Sequence, residues 1–275
     1  MNIAFALLFF VGGTIIGSFL SVLIYRIKHG KKGIVTGRSI CTHCKKPLKF
    51  RYLVPLLSWL LLRGKCGYCD KKISSHYMLI ELMTGLIFAA VFLNWNFLEI
   101  TASTINPRIL SFGIDWHMLQ IFSLNILVYT LLAAIFFYDL LYKEIPDSLS
   151  ITAIAIALAG GLAFDEPSII SMTIGALAIG GFFLVQFVLS KGKWIGGGDI
   201  RLGVLMGVFL GFEKGLLALV LAYFIGALVS ISLLLQKKVN RKSEVAFGPF
   251  LIIGILIASF YGQEILDWYF SYAVF

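Results

Sequence analysis

Long apolar runs dominate this chain, and they leave little freedom of architecture. At about 20 apolar residues per helical crossing of a bilayer, eight stretches qualify: 3–27, 77–98, 118–139, 148–164, 168–190, 194–212, 215–235 and 247–272. A mean hydropathy of +0.93, with 59% hydrophobic and 13% charged residues, excludes a water-soluble globular domain. Runs of this length satisfy their backbone groups in lipid only as helices. The expected fold is an all-α polytopic membrane protein of about eight transmembrane helices. The first run is too long for a signal-peptide core, has no basic residue ahead of it and lacks a clear small-residue cleavage site, so it reads as a retained helix.

The formal net charge of +9 would suit a nucleic-acid partner, but the charges are sorted along the chain in a way that a membrane explains. Of the 23 Lys and Arg, 13 lie between positions 26 and 72, where Asp70 is the one acidic residue. By the positive-inside rule this block is a cytoplasmic loop, and lipid, not nucleic acid, is the expected surface. Lys143, Lys191, Lys193, Lys237, Lys238, Arg241 and Lys242 fall on the same side, and Arg108 and Lys214 on the other. Eight crossings then put both termini outside. The expected division is 1–27 as first helix, 28–76 as cytoplasmic loop domain, 77–117 as second helix with an outer loop, and 118–275 as a six-helix domain. Within the loop domain, YLVPLLSWLLL at 52–62 is too short to span and reads as a core strand or a surface-lying segment. Residues 99–117 read as a polar outer loop without chemistry, and His76 and His117 as structural residues at helix ends.

All four cysteines fall in the basic block, as Cys41-Thr-His-Cys44 and Cys66-Gly-Tyr-Cys69 with 21 residues between the pairs. A cytoplasmic compartment is reducing, so disulfides are not expected there. Two CxxC knuckles close a tetrahedral site of four thiolates around Zn²⁺, giving a zinc-ribbon-like insertion. Lys45, Lys46, Lys65, Lys71 and Lys72 would offset the charge of that centre. The rival readings are a redox CxxC and four free structural thiols.

Two carboxylates stand in apolar surroundings. Asp199 lies in WIGGGDIRLG at 194–203 and Asp139 in FFYDLLYKEIPD at 136–147. An ionisable residue inside a membrane segment marks a functional site by default. Asp147 follows Pro146 at the head of an apolar run and reads as a helix N-cap. Gly196, Gly197 and Gly198 would let a backbone approach Asp199 and would permit a break in the helix. Two neighbouring carboxylates provide one base to activate water and one acid for the leaving amine. A proton-coupled transporter with a zinc-stabilised cytoplasmic loop would use two buried carboxylates equally well, and a zinc-containing membrane scaffold would need neither. The residue chemistry alone does not choose.

The chain also resembles the type IV prepilin peptidases, bifunctional leader peptidases and N-methyltransferases of the GxGD aspartyl protease class. The motifs, in order, are GSFLSVLIYR at 17–26, RSICTHC at 38–44, VPLLSWLLLRGKCGYC at 54–69, HYMLIELMTG at 76–85, DLLYKEIPD at 139–147, GGGDIRLG at 196–203 and FGPFL at 247–251. The resemblance implies that Asp139 and Asp199 are the catalytic pair and that prepilins or pseudopilins are the substrates, cut at the cytoplasmic face of the bacterial inner membrane. It further implies methylation of the new N-terminus by S-adenosylmethionine, with the cysteine-bearing loop as the methyltransferase part. Cys41, Cys44, Cys66 and Cys69 match the family's metal-type cysteines, and Gly64 and Glu81 match motif positions without a role readable from sequence. Two residues depart from the pattern: Ser21 replaces a usual Asn, and Arg201 a usual Lys. Arg201 keeps the charge but replaces a point donor with a planar fork.

Overall fold

The computed structural model describes residues 2–30, 39–41, 43–95, 98–102, 110–236 and 245–273. Of the basic residues used for orientation, Lys31, Lys32, Arg38, Arg108, Lys237, Lys238, Arg241 and Lys242 lie outside the described residues. The helices are α1 (Asn2–Lys28), α2 (Leu57–Leu61), α3 (His76–Asn94), α4 (Trp116–Tyr142), α5 (Asp147–Phe164), α6 (Ile169–Ser190), α7 (Gly197–Leu235) and α8 (Gly248–Ala273). Among the described residues, all but α2 are long and apolar enough to cross a membrane, seven in number.

Seven helices accommodate the eight apolar runs because α7 is two segments. It has 39 residues, and Gly211 inside it adopts φ 75° and ψ −172°, a conformation essentially confined to glycine. A Cβ on Gly215 would lie 3.7 Å from the Gly207 Cα, whereas residues eight apart in one straight helix are separated by about 12 Å. The chain therefore folds back on itself at Gly211. The amide of Phe212, freed by the break, donates to Ser171 Oγ at 2.9 Å. Trp194 and Ile195, expected inside the sixth run, precede the helix, which starts at Gly197 after Gly196 in extended conformation.

The chain forms two compact units, residues 1–118 and 119–275. In the first, α1 lies against α3 through small residues: a Cβ on Gly17 would come within 2.7 Å of the Glu81 Cα. Phe9 stacks on Phe92 with centroids 4.7 Å apart. Residues 52–62 form neither a strand nor a spanning segment. Phe50–Tyr52 make a 3-10 turn and Leu57–Leu61 a single helical turn whose Leu57, Leu60 and Leu61 are exposed, so the surface-lying reading is the correct one. The polar stretch before α4 is not a plain loop either: β1 (Leu98–Ala102) and β2 (Leu110–Ile114) pair antiparallel, Leu98 opposite Ile114. Asp115 then accepts the amides of His117 and Met118 and starts α4.

In the second unit the first limb of α7 is the centre. Its Leu202, Leu205 and Met206 are fully buried, among α6 (Ile179, Phe183) and α8 (Leu251, Ile252) neighbours that are equally so. A Cβ on Gly207 would stand 2.2 Å from the Ala176 amide, the close backbone approach that small residues allow between membrane helices. Exposed Leu177, Val188 and Phe224 give the outer surface an apolar character, as lipid contact requires.

Candidate functional site

One end of the second unit collects the C-terminus of α4 and the N-termini of α5, α7 and α8. Asp139 sits on the last turn but one of α4 and is 4% exposed; Asp199 occupies the third position of α7 and is 7% exposed. The two are near enough for the charge of Asp199 to act on Asp139. Each carboxylate accepts a glycine amide: Gly196 N–H donates to Asp199 Oδ2 at 3.0 Å, and Gly248 N–H donates to Asp139. Helix starts carry unpaired amides, so the first turns of α7 and α8 supply the donors that orient the pair.

The glycines beside the aspartates have distinct jobs. A Cβ on Gly198 would collide with Ile145 at 2.6 Å, and one on Gly248 would reach Asp139 Oδ2 at 2.5 Å and Ile145 Cδ1 at 3.2 Å. Ile145 is thus wedged between the starts of α7 and α8. Gly197 meets nothing within 4 Å, so of these two glycines Gly198 is the one packed against a neighbouring side chain.

Arg201 ties the loop after α4 to α7. Its Nε donates to Ser150 Oγ at 3.2 Å, its Nη2 donates to the Ile145 carbonyl at 3.3 Å, and it pairs with Asp147. This corrects the N-cap reading of Asp147. Pro146 is the cap, no side chain caps the helix, and Asp147 is its first residue, held by an arginine 54 positions later. The side chain of Asp147 is 70% exposed, outside the buried pair.

In the first unit, the four cysteine sulfurs lie within 4.8 Å of one another, and none is in a disulfide. Both knuckles are built alike. Cys41 N–H donates to the Lys46 carbonyl at 3.0 Å and Cys66 N–H to that of Lys71 at 2.9 Å; the amides of Lys45 and Asp70 return to Cys41 and Cys66. Lys45 and Asp70 take positive φ to close the turns. Burial raises the Cys41 thiol, but the amides of Cys44 and His43 and the sulfurs of Cys66 and Cys44 bring it down to about 7. Cys69 accepts the Lys71 amide, which lowers it, yet burial and the other three sulfurs push it up to about 11. Four thiols crowded this way resist joint ionisation, and a tetrahedral divalent cation with sulfur ligands at about 2.3 Å relieves that repulsion. The donor set fits zinc.

Two family profiles cover most of the chain: "Bacterial Peptidase A24 N-terminal domain" matches residues 11–95 and "Type IV leader peptidase family" matches residues 126–231. The chain belongs to the type IV leader peptidase family. Relatives named prepilin leader peptidase/N-methyltransferase span it almost end to end. The one from Aeromonas hydrophila is 29% identical over 95% of this chain and 92% of its own length. That from Bacillus subtilis (strain 168) is 29% identical over 96% and 98%, and that from Legionella pneumophila 27% over 94% and 91%. No solved structure matches at comparable significance. The family is one of aspartic peptidases, which makes this leader peptidase relative a membrane-embedded enzyme and decides between the peptidase and transporter readings. The tasks of Gly248, Ile145 and Ser150 are set by partners far away in sequence, Asp139, the start of α7 and Arg201.

Proposed function

We propose that Asp139 and Asp199 cleave the leader peptides of prepilins or pseudopilins at the cytoplasmic face of the membrane, and that the same enzyme then N-methylates the exposed residue. The observation that carries this reading is the pair of buried carboxylates from two helices, each held by the amide of a glycine at a helix start. Neighbouring buried carboxylates share a proton. The ionised one takes a proton from water as its oxygen attacks the scissile carbonyl. The protonated one gives its proton to the leaving nitrogen as the carbon–nitrogen bond breaks, so one catalytic cycle restores the shared proton.

Arg201 and Asp147 are positioning residues in this scheme, holding the loop that carries Ile145 against α7. A prepilin carries an apolar segment after its leader; sharing the membrane raises its effective concentration near Asp139 and Asp199. Cys41, Cys44, Cys66 and Cys69 would hold a structural Zn²⁺, and S-adenosylmethionine would supply the methyl group. Co-expression with a prepilin, followed by mass spectrometry of the pilin N-terminus, tests both activities together. A pilin shortened by its leader and heavier by one methyl group is expected; an unprocessed pilin contradicts the reading.

A further inference from the structure

The first unit holds a cavity of about 520 Å³ to which Asp139 and Asp199 contribute no wall and which Cys41 and Cys66 of the metal centre border. That volume lies within the roughly 300–1,000 Å³ of small-ligand sites. Its walls come from α1, both cysteine knuckles, α2 and α3, and their chemistry is specific. Tyr25, Tyr52, Trp59 and Tyr77 line it with aromatic surface. Tyr52 is fixed there by an edge contact to Tyr68, with centroids 5.1 Å apart, and by the close approach of Gly67. Trp59 lies so near Gly64 that a Cβ would meet its ring at 2.8 Å. The Trp59 indole nitrogen is the one buried side-chain polar atom without a hydrogen-bond partner among the described residues. Arg26 and Lys72 bring positive charge to the same walls.

The one acidic residue on the wall is Glu81, which is 9% exposed. The Leu56 amide donates to its Oε2 at 2.7 Å, and the Ser18 hydroxyl is a second partner. A carboxylate already served by donors presents itself as an acceptor, ready for ligand hydroxyl or ammonium groups. Aromatic faces for a base, a buried acceptor and cations for a carboxylate together describe an adenosyl amino acid.

We propose that this cavity binds the methyl donor S-adenosylmethionine, with Glu81 as the acceptor for its hydroxyl or ammonium groups. The assignment rests on the methyl-transfer half of the proposed function. In that transfer a nitrogen–carbon bond forms at the new N-terminus and the methyl carbon–sulfur bond breaks. The bonding pair goes to sulfur, leaving S-adenosylhomocysteine, and one proton passes from the amine to water. Two of the sequence features without a role then acquire one: Gly64 keeps Trp59 in the wall, and Glu81 is the anchor. Ser21 also lines the cavity, its hydroxyl turned back to the Ser18 carbonyl at 2.7 Å, so the departure from the family's Asn falls on the donor site.

The test uses the full-length enzyme in detergent. Ultraviolet crosslinking of methyl-tritiated S-adenosylmethionine to the wild type should label peptides from 18–26, 52–62 or 77–81. Titration calorimetry with S-adenosylhomocysteine should show about tenfold weaker binding to Glu81→Gln, the ratio expected when a charge-assisted hydrogen bond becomes a neutral one. Label confined to other peptides, or equal affinity in wild type and Glu81→Gln, overturns the assignment, even if the wild type methylates. A wild type that leaves a prepilin uncut and unmethylated while the label falls in the cavity contradicts the function instead.

Discussion

Gly248 stands against Asp139 so closely that a methyl group in place of its hydrogen would come within 2.5 Å of Oδ2, while its amide donates to the same carboxylate. The start of α8 therefore fixes where one of the two aspartates can lie. Gly248→Ala should leave an inserted, folded enzyme whose leader cleavage falls about a hundredfold, the scale of an ångström-sized misplacement of a reacting group. Initial rates on a prepilin in detergent check this. A rate within twofold of wild type would mean that Asp139 has room to move.

Arg201 offers a graded probe of the neighbouring loop. Arg201→Met removes its bonds to Ser150 and Ile145 and its ion pair with Asp147. Asp147→Asn removes only the ion pair, whose carboxylate is largely exposed and contributes at most about 1 kcal/mol. Thermal unfolding and cleavage should therefore be impaired clearly by Arg201→Met and little by Asp147→Asn. Equal impairment would mean that the ion pair, not the fork to Ser150 and Ile145, holds the loop.

Gly211 should be intolerant for a conformational reason. Its backbone lies where side chains are strained, and an added Cβ would sit 2.6 Å from Ser171 Oγ. Gly211→Ala is expected to destabilise the second unit by about 1–3 kcal/mol, read as lowered thermal stability in detergent. Unchanged stability would contradict the turn.

The metal centre makes a prediction about pH. Thiolates bind zinc and thiols do not, so affinity depends on proton loss. With Cys41 near 7 and Cys69 near 11, zinc binding should release protons at neutral pH, and affinity should fall as pH drops through about 7. Competition with a chromophoric chelator from pH 8 to 6 follows this. Cys66→Ser should lose the metal and lower methyl transfer, detected as processed but unmethylated pilin. A metal content unchanged by that substitution would refute the four-cysteine centre.

Much of the architecture was legible because lipid imposes a length and a polarity on each helix, and because two CxxC pairs and two carboxylates in apolar runs stand out from their surroundings. What escaped shares a cause. Asp147 looks like a cap from its local sequence, but its partner Arg201 arrives from another helix. Gly248 looks like any glycine until Asp139 is placed beside it. Residues 52–62 carry an apolar run that periodicity cannot assign, and it folds as one helical turn, Leu57–Leu61, after Pro55. The donor cavity is assembled from α1, α3 and the cysteine loop, and no contiguous motif announces it.

The central claim is that Asp139 and Asp199 perform the cleavage as a pair. The most direct measurement is leader removal, by mass spectrometry, from a prepilin co-expressed with wild type, Asp139→Asn or Asp199→Asn, with each variant shown to be inserted at wild-type level. Both substitutions keep the side-chain shape and remove the acid–base function, so each alone should leave the prepilin full length. Complete cleavage by either variant would contradict the account.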